Sequence, residues 1–351
     1  MYDSIEEAGL KGRDFLSTQD WSVDELETLF SLAARLKADR KAGVPTRLLE
    51  DKTLYMIFFD SSTRTRNSFE TGITQLGGHG IFLSPDKMQI SHGENARDTA
   101  NVLSRYGEAI AIRHCAFGEG NAYLSEVAEH ASVPVLSMQC DVYHPCQILA
   151  DYLTIREKLG STRRLKLGVA WTSAPNYVRP ISVPQSLILM MPRLGLDVTL
   201  AYPPEFMLLP DIEAQARENA AAAGTRFEIS HRFEDAFEDA DVIIPKSWGP
   251  LVHTRDHAEG VRLIEAYNLK INESALTGES MPVTKHTGAL ATGLPLAEQR
   301  NQAFSSTIVT FGRATALVTA TGMQTQIGRI AGSLLQVKRE PTPLQQNISR
   351  I

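Results

Sequence analysis

Phe58-Phe59-Asp60-Ser61-Ser62-Thr63-Arg64-Thr65-Arg66 is the stretch on which the reading of this chain turns. An apolar run over 54–59 passes straight into a turn rich in hydroxyls and guanidiniums, and the turn opens a helix. Backbone N–H groups at a helix start point outward without partners, and the helix dipole favours negative charge there. Ser62, Thr63 and Thr65 add hydroxyl donors, and Arg64 adds a planar fork matched to phosphate oxygens. A helix cap needs one such hydroxyl. Four hydroxyl residues interleaved with two arginines exceed that need and point to an oxyanion receptor.

The bulk composition limits what such a receptor serves. At 351 residues the chain has room for about two or three domains. A hydrophobic content of 43% with 22% charged residues belongs to a globular chain with enough core to fold. The net charge of −6 gives no reason to expect nucleic acid or an anionic membrane as partner, so an anion site must be a local basic cluster on an acidic body. Cys115, Cys140 and Cys146 are odd in number and lack paired spacing, which suggests reduced thiols and a cytoplasmic location. The first twenty residues contain no apolar signal region, and runs such as 187–191 fall short of the ~18 residues of a membrane span.

Period and punctuation then set the organisation. Residues 22–36 predict an amphipathic helix, with Ser22 and Glu25 as a capping box and Leu26, Leu29, Phe30, Ala33 and Leu36 as its buried stripe. Strands are expected at 54–59, 79–83, 109–113 and 133–137, with helices at 67–76, 94–106 and 123–130 between them. A long helix over 144–159 leads to a second set: strands at 165–171, 197–202, 227–230 and 242–244, enclosing helices at 185–194, 212–223 and 233–239. Short strands alternating with helices imply parallel sheets covered on both faces. The expected fold is therefore α/β, with two doubly wound lobes at 1–148 and 149–260 and a ligand cleft at the carboxyl ends of their strands. After about residue 260 the rhythm is lost. Residues 261–351 read as a β-rich segment, with β-branched stretches at 307–309 and 316–319, one helix over 324–335, and an exposed Lys338-Arg339-Glu340-Pro341-Thr342-Pro343 tail.

A second signal is His144-Pro145-Cys146-Gln147. Proline suits the first helical position, so His144 lies at the helix start and Gln147 stands three residues on, on roughly the same face. The pair is either a capping histidine with a surface glutamine, or an imidazole and a carboxamide that polarise one small carbonyl. His144 and Cys146 have no matching ligand pair elsewhere, so no metal site is expected. Arg113-His114 closes the third expected strand toward the same cleft, where Arg113 either snorkels outward or supplies a second guanidinium to a bound anion.

Together these residues resemble the aspartate/ornithine carbamoyltransferase family. Its Ser-Thr-Arg-Thr-Arg motif stands at Ser62 to Arg66, its third-strand arginine at Arg113, and its His-Pro-x-Gln motif at His144 to Gln147, with Asp151 one turn on. The match covers roughly residues 10–260. The segment 175–184 and Pro245-Lys246-Ser247-Trp248 are closest to the knotted branch, which handles acylated or uncharacterised ornithine-like substrates. The resemblance implies carbamoyl phosphate held by Ser62, Thr63, Arg64, Thr65, Arg113, His144 and Gln147, with Arg64, Arg113 and His144 carrying the catalysis and no cofactor. The acceptor amino acid would lie near Lys246, Trp248 and His114. Gln89 and His92, in the loop 88–94, correspond to a segment lent to a neighbouring subunit, which implies a homotrimer.

The resemblance breaks near residue 260. The family's later His-Cys-Leu-Pro motif is absent, and 262–344 instead resembles part of the actuator domain of P-type cation ATPases, carried by Thr277-Gly278-Glu279-Ser280, Pro282-Val283, Thr321-Gly322-Met323 and Thr325 to Gly328. In those pumps the glutamate matching Glu279 positions a water. No phosphorylation motif accompanies it here, since Asp51-Lys52-Thr53 is followed by Leu54. A lobe lacking its closing strand and helix leaves apolar surface uncovered at about 25 cal/mol per Å², so reduced stability or aggregation is expected unless the appended segment covers it. Three readings stand: a carbamoyltransferase acting on an ornithine-like amine, a binding protein that keeps the pocket without turnover, and a fragment related to a cation pump.

Overall fold

The computed structural model describes residues 9–336 apart from Arg163, Ser173, Pro175, Thr287, Arg313 and Thr315, so the Lys338 to Pro343 tail lies outside the described residues. The first long helix, α1 (Val23–Lys41), starts as its sequence predicts. Ser22 accepts from the Glu25 N–H, and the Glu25 carboxylate accepts from the Ser22 N–H. Its buried stripe is narrower than expected. Leu26 and Phe30 are buried, Leu29 and Leu36 are half-buried, and Ala33 is exposed; Phe30 packs on Tyr152 at 4.7 Å between ring centroids.

The first lobe is built from β1 (Thr53–Phe58), α2 (Arg64–Gln75), β2 (His79–Leu83), α3 (Ala96–Leu103), β3 (Ala109–His114), α4 (Gly120–His130) and β4 (Val135–Cys140). Its four strands are all parallel, in the order β2-β1-β3-β4. Side chains alternate across a strand, so one sheet feeds two cores. Tyr55, Ile57, Ile110 and Ile112 pack with Leu124 and Val127 on one face, while Met56, Phe58, Ala111 and Met138 pack with Ile73 on the other. Each fully buried side chain of this size contributes about 1.5–3 kcal/mol.

Helix α5 (Pro145–Leu159) then leads into β5 (Lys166–Trp171), α6 (Ser182–Met190), β6 (Asp197–Ala201), α7 (Pro210–Ala223), β7 (Phe227–Ser230), α8 (Phe233–Phe237) and β8 (Val242–Lys246). This second sheet is also parallel, in the order β7-β6-β5-β8. All nine residues of α6 are buried, the apolar Leu187 to Met190 among them, and its polar Ser182, Gln185 and Ser186 have partners. Gly168 on β5 admits α8 so closely that a Cβ there would lie 1.9 Å from the Ala236 carbonyl oxygen. Buried polar contacts stitch the two lobes into one compact unit reaching Gly260. Gln139 Nε2 donates to Ser182 Oγ at 2.9 Å, the His144 N–H to Ser186 Oγ at 2.9 Å, and Gln185 Nε2 to the Val142 carbonyl at 2.9 Å.

The second unit begins at Val261. Helix α9 (His257–Tyr267) spans that boundary, followed by β9 (Lys270–Asn272), α10 (Ser274–Thr277), β10 (Val283–Thr284), β11 (Ile308–Phe311) and α11 (Gln326–Gln336). The sheet here is antiparallel, in the order β10-β9-β11. Ile308 and Val309 begin β11, whereas 316–319 forms no strand and leaves Leu317 and Val318 exposed. Just after β10 and β9 respectively, Lys285 Nζ lies 2.6 Å from Glu273 Oε1, both side chains buried. Among the described residues no helix is long and apolar enough to cross a membrane.

Candidate active site

Strand order places the predicted residues together. In the first sheet the chain leaves β1 toward β2 and returns to β3 on the other side, so the order reverses between β1 and β3, and ligands bind at such a switch point beyond the strand ends. The Ser62 to Arg64 turn follows β1, Arg113 is the next-to-last residue of β3, and His144 follows β4, three neighbouring strand ends. In the register, Phe58 pairs with Arg113, and Arg113 with Gln139 after an irregularity at Ile112. The second sheet reverses in the same way between β5 and β8, where Trp171 pairs with Lys246.

At the turn, Thr63 precedes α2 without a side-chain cap, and Ser62 Oγ accepts the Thr65 N–H at 3.2 Å. The hydroxyl of Thr63 therefore does no capping work. Arg113 Nη1 donates to Thr65 Oγ1 at 3.3 Å, which ties β3 to the turn, while Arg113 Nε is buried without a partner. A buried cationic donor left unsatisfied costs about 1–3 kcal/mol or more, and an anion beside Thr65 removes that cost. Arg64 is exposed at the helix start. Arg66 is turned aside: it pairs with Glu70 at 3.3 Å and lies over the Phe82 ring, 3.8 Å from its centroid. The two motif arginines thus stand in different surroundings.

His144 occupies the position before α5, with Pro145 starting the helix. Its Nδ1 is buried and unpartnered. Burial, then the positive charges of Arg113 and Lys246, push its pKa down to about 3. The ring is neutral at physiological pH and has a single N–H to donate. One turn into α5, Gln147 Nε2 donates to Asp151 Oδ1 at 2.8 Å. Lys246 closes β8 with its pKa lowered by burial and by Arg179 and Arg64, against the opposing pull of Asp151. Arg179 was not among the residues singled out from sequence. The Gly249 N–H donates to its carbonyl at 2.9 Å, which lays the 177–179 segment on the chain just after Lys246.

Two expected acceptor contacts fail. Trp248 is fully buried, with Nε1 donating to the Phe206 carbonyl at 2.7 Å, so its indole is part of the core and has no face toward the cleft. His114 is also turned inward. It stacks on Phe59 at 4.0 Å between centroids and is buried beside Tyr123, because alternation along β3 sends it to the face opposite Arg113. Gln89 and His92 are exposed in a short 3₁₀ turn, where the Glu94 N–H donates to the Gln89 carbonyl at 3.1 Å and Ser91 Oγ lies 3.3 Å from His92 Nδ1. Two aspartates emerge as supports. Asp60 accepts the Cys115 N–H, and Asp141 accepts the N–H groups of Gly118 and Asn121, each at 2.7 Å, which shapes the loop after Arg113.

In the second unit, Gly278 (φ +78°) closes α10, and the Glu279 N–H donates to Thr277 Oγ1 at 3.3 Å. Glu279 and Ser280 are exposed on this turn. Among the described residues no group of three or more His, Cys, Asp or Glu is placed to hold a metal ion.

Known proteins resemble this chain in sequence and in fold. Residues 13–157 match the model of the aspartate/ornithine carbamoyltransferase carbamoyl-P binding domain, and 180–290 match that of the family's Asp/Orn binding domain. Residues 259–335 match the P-type ATPase actuator domain, overlapping the end of the preceding match. The chain is 37% identical over 309 residues to "Putative carbamoyltransferase YgeW" of Escherichia coli K12, covering 80% of this chain and 78% of that protein. It is 38% identical over 262 residues to ornithine carbamoyltransferase of Carboxydothermus hydrogenoformans, covering 75% and 81%. Among solved structures, ornithine carbamoyltransferase from Pyrococcus furiosus superposes with a TM-score of 0.65 at 38% identity, covering 73% of this chain and 78% of that one. An N-acetyl-L-ornithine transcarbamylase variant complexed with carbamyl phosphate and N-succinyl-L-norvaline superposes with a TM-score of 0.66 at 32% identity, covering 73% and 81%. The site at the switch points, the two domain matches and these relatives agree: this chain belongs to the aspartate/ornithine carbamoyltransferase family.

Proposed function

We propose that this chain transfers the carbamoyl group of carbamoyl phosphate to the amine of an ornithine-like amino acid and releases phosphate. The observation that carries this reading is the buried, unsatisfied Nε of Arg113 beside Thr65, next to a neutral His144 with an equally unsatisfied Nδ1. One is a waiting anion contact and the other a waiting carbonyl donor. The phosphate is held by Ser62, Thr63, Arg64, Thr65 and Arg113. His144 donates its N–H to the carbamoyl oxygen, and Gln147 holds the carbamoyl amine. An unprotonated acceptor amine attacks the carbonyl carbon, negative charge builds on the carbamoyl oxygen, the C–O bond to phosphate then breaks, and the departing phosphate takes the proton that the amine nitrogen gives up. Donors already in place act where that charge develops, and holding both reactants contributes much of the remaining acceleration. Lys246 supports the acceptor side. Gln89 and His92 reach a neighbouring subunit's site in a homotrimer, and the reduced thiols fit a cytoplasmic enzyme.

A second reading has its own support. No His-Cys-Leu-Pro follows Trp248, and 259–335 match an actuator domain. On that reading a fused actuator-like segment carrying Thr277, Gly278, Glu279 and Ser280 replaces the family's last elements, and the chain binds carbamoyl phosphate without turning it over. Calorimetry with carbamoyl phosphate and a colorimetric assay for ureido products separate the two. Screening ornithine, acylated ornithines, aspartate and small diamines identifies the acceptor. Binding with product supports the enzyme, binding alone supports the second reading, and no binding refutes both.

A further inference from the structure

Resting on the carbamoyl-phosphate reading above, we infer that Asp151 is a positioning residue that fixes the orientation of the Gln147 carboxamide and so selects the carbamoyl half of the ligand. Asp151 lies four residues after Gln147, on the same face of α5, and its Oδ1 accepts from Gln147 Nε2 at 2.8 Å. A carboxylate only accepts hydrogen bonds, so Nε2 is held toward Asp151 and Oε1 is left to face outward. An oxygen presented in that way accepts from the N–H groups of a carbamoyl amine. The reversed amide would set N–H against N–H.

The charge around Asp151 maintains this polarity. The groups acting on it are Gln147 on its own helix and Lys246 at the end of β8, and Lys246 in turn feels Arg179 and Arg64. Burial raises the Asp151 pKa, while Gln147 and Lys246 pull it back. Protonation converts an Asp151 oxygen into a donor and permits the amide to turn over. Affinity for the carbamoyl group then declines on the acid side. Inorganic phosphate, which contacts only the Ser62 to Thr65 turn and Arg113, does not sense the change.

The test is calorimetry of the full chain with two probes, carbamoyl phosphate and inorganic phosphate, across a pH series. In Asp151→Ala we expect carbamoyl phosphate affinity to fall by about ten- to hundredfold, the equivalent of one hydrogen bond to a charged group, with phosphate affinity unchanged. Asp151→Asn, which keeps the shape and one acceptor, falls less and serves if the alanine variant does not fold. Both variants lose the acid-side decline specific to carbamoyl phosphate. Adding Asp151→Ala to Gln147→Ala costs nothing further, because Asp151 acts through Gln147. Equal loss of both probes, equal retention of both, or additive loss in the double variant overturns the inference. Absence of heat for either probe with the unsubstituted chain overturns the functional reading as well, and so separates the two failures.

Discussion

Arg113→Met removes a guanidinium while keeping most of its volume, and its consequences follow from three features of the site. First, the variant deletes Nη1, which binds Thr65 Oγ1, and the orphaned Nε. If both nitrogens engage the phosphate, two charge-assisted bonds are lost at about 1.5–3 kcal/mol each, or about 3–6 kcal/mol and roughly 10²- to 10⁴-fold in affinity. Second, Arg113 forms no ion pair with a carboxylate among the described residues, and the variant removes a buried unsatisfied donor. The unliganded protein is therefore expected to keep its stability within about 1 kcal/mol. Third, one of the charges depressing His144 disappears, so its pKa rises from about 3 yet stays below the ordinary histidine value, since burial is the larger cause. Calorimetry with carbamoyl phosphate, thermal melting and NMR titration of the His144 ring measure the three effects. Unchanged affinity, or a melt lowered as far as a core truncation lowers it, would refute the placement of Arg113 in an anion receptor and make it a structural residue.

Other perturbations follow from single contacts. Gly120→Ala drives a Cβ to 1.9 Å from the His114 carbonyl oxygen, so the first lobe is expected to lose about 1–3 kcal/mol or more, seen as an earlier melting transition. His144 is neutral when folded with its pKa near 3 and protonates near 6.5 when unfolded, so the unfolded chain binds the extra proton between those values. Its contribution is intact above pH 6.5 and is lost as pH falls toward 3, at up to about 1.4 kcal/mol per pH unit. His144→Asn is expected to flatten that slope in denaturation curves recorded across the window. In the second unit, Lys285→Met strands the buried Glu273 carboxylate and is expected to cost about 3–5 kcal/mol, measured as faster amide exchange in β9 and β10. Lys285→Met combined with Glu273→Leu is expected to recover much of that loss.

Much of this was legible in the residues. Apolar runs such as 54–59 and 165–171 announced the parallel strands, and proline, serine and glycine marked the helix ends at Pro145, Ser22 and Gly224. The turn after Phe58 was singled out because its hydroxyl and guanidinium content exceeds what capping needs, and Thr63 indeed makes no side-chain cap there. The errors lie where side-chain direction decides. Arg113 and His114 were grouped as neighbours in sequence, yet successive side chains on a strand face opposite ways, and that alternation was available as a warning. Trp248 was taken as a contact because it follows Lys246. A large indole gains more by burial, and its N–H found the Phe206 carbonyl, a partner 42 residues away that no local pattern reveals. Arg179 went unnoticed for a similar reason: its link to Gly249 spans seventy residues of chain. The Gln147 to Asp151 bond went unread as well, although a spacing of four on a helix places the two side chains within reach.

The central claim is that the Ser62 to Thr65 turn, Arg64 and Arg113 grip a phosphate dianion while His144 meets the group attached to it. Titration of carbamoyl phosphate into the purified full chain, beside Arg64→Ala at the same concentration, tests it most directly. The account predicts saturable heat at one site per chain, competition by inorganic phosphate, and loss of that heat in Arg64→Ala with the melting curve unchanged. Absence of heat in the unsubstituted chain, or the same affinity after Arg64→Ala, would contradict it.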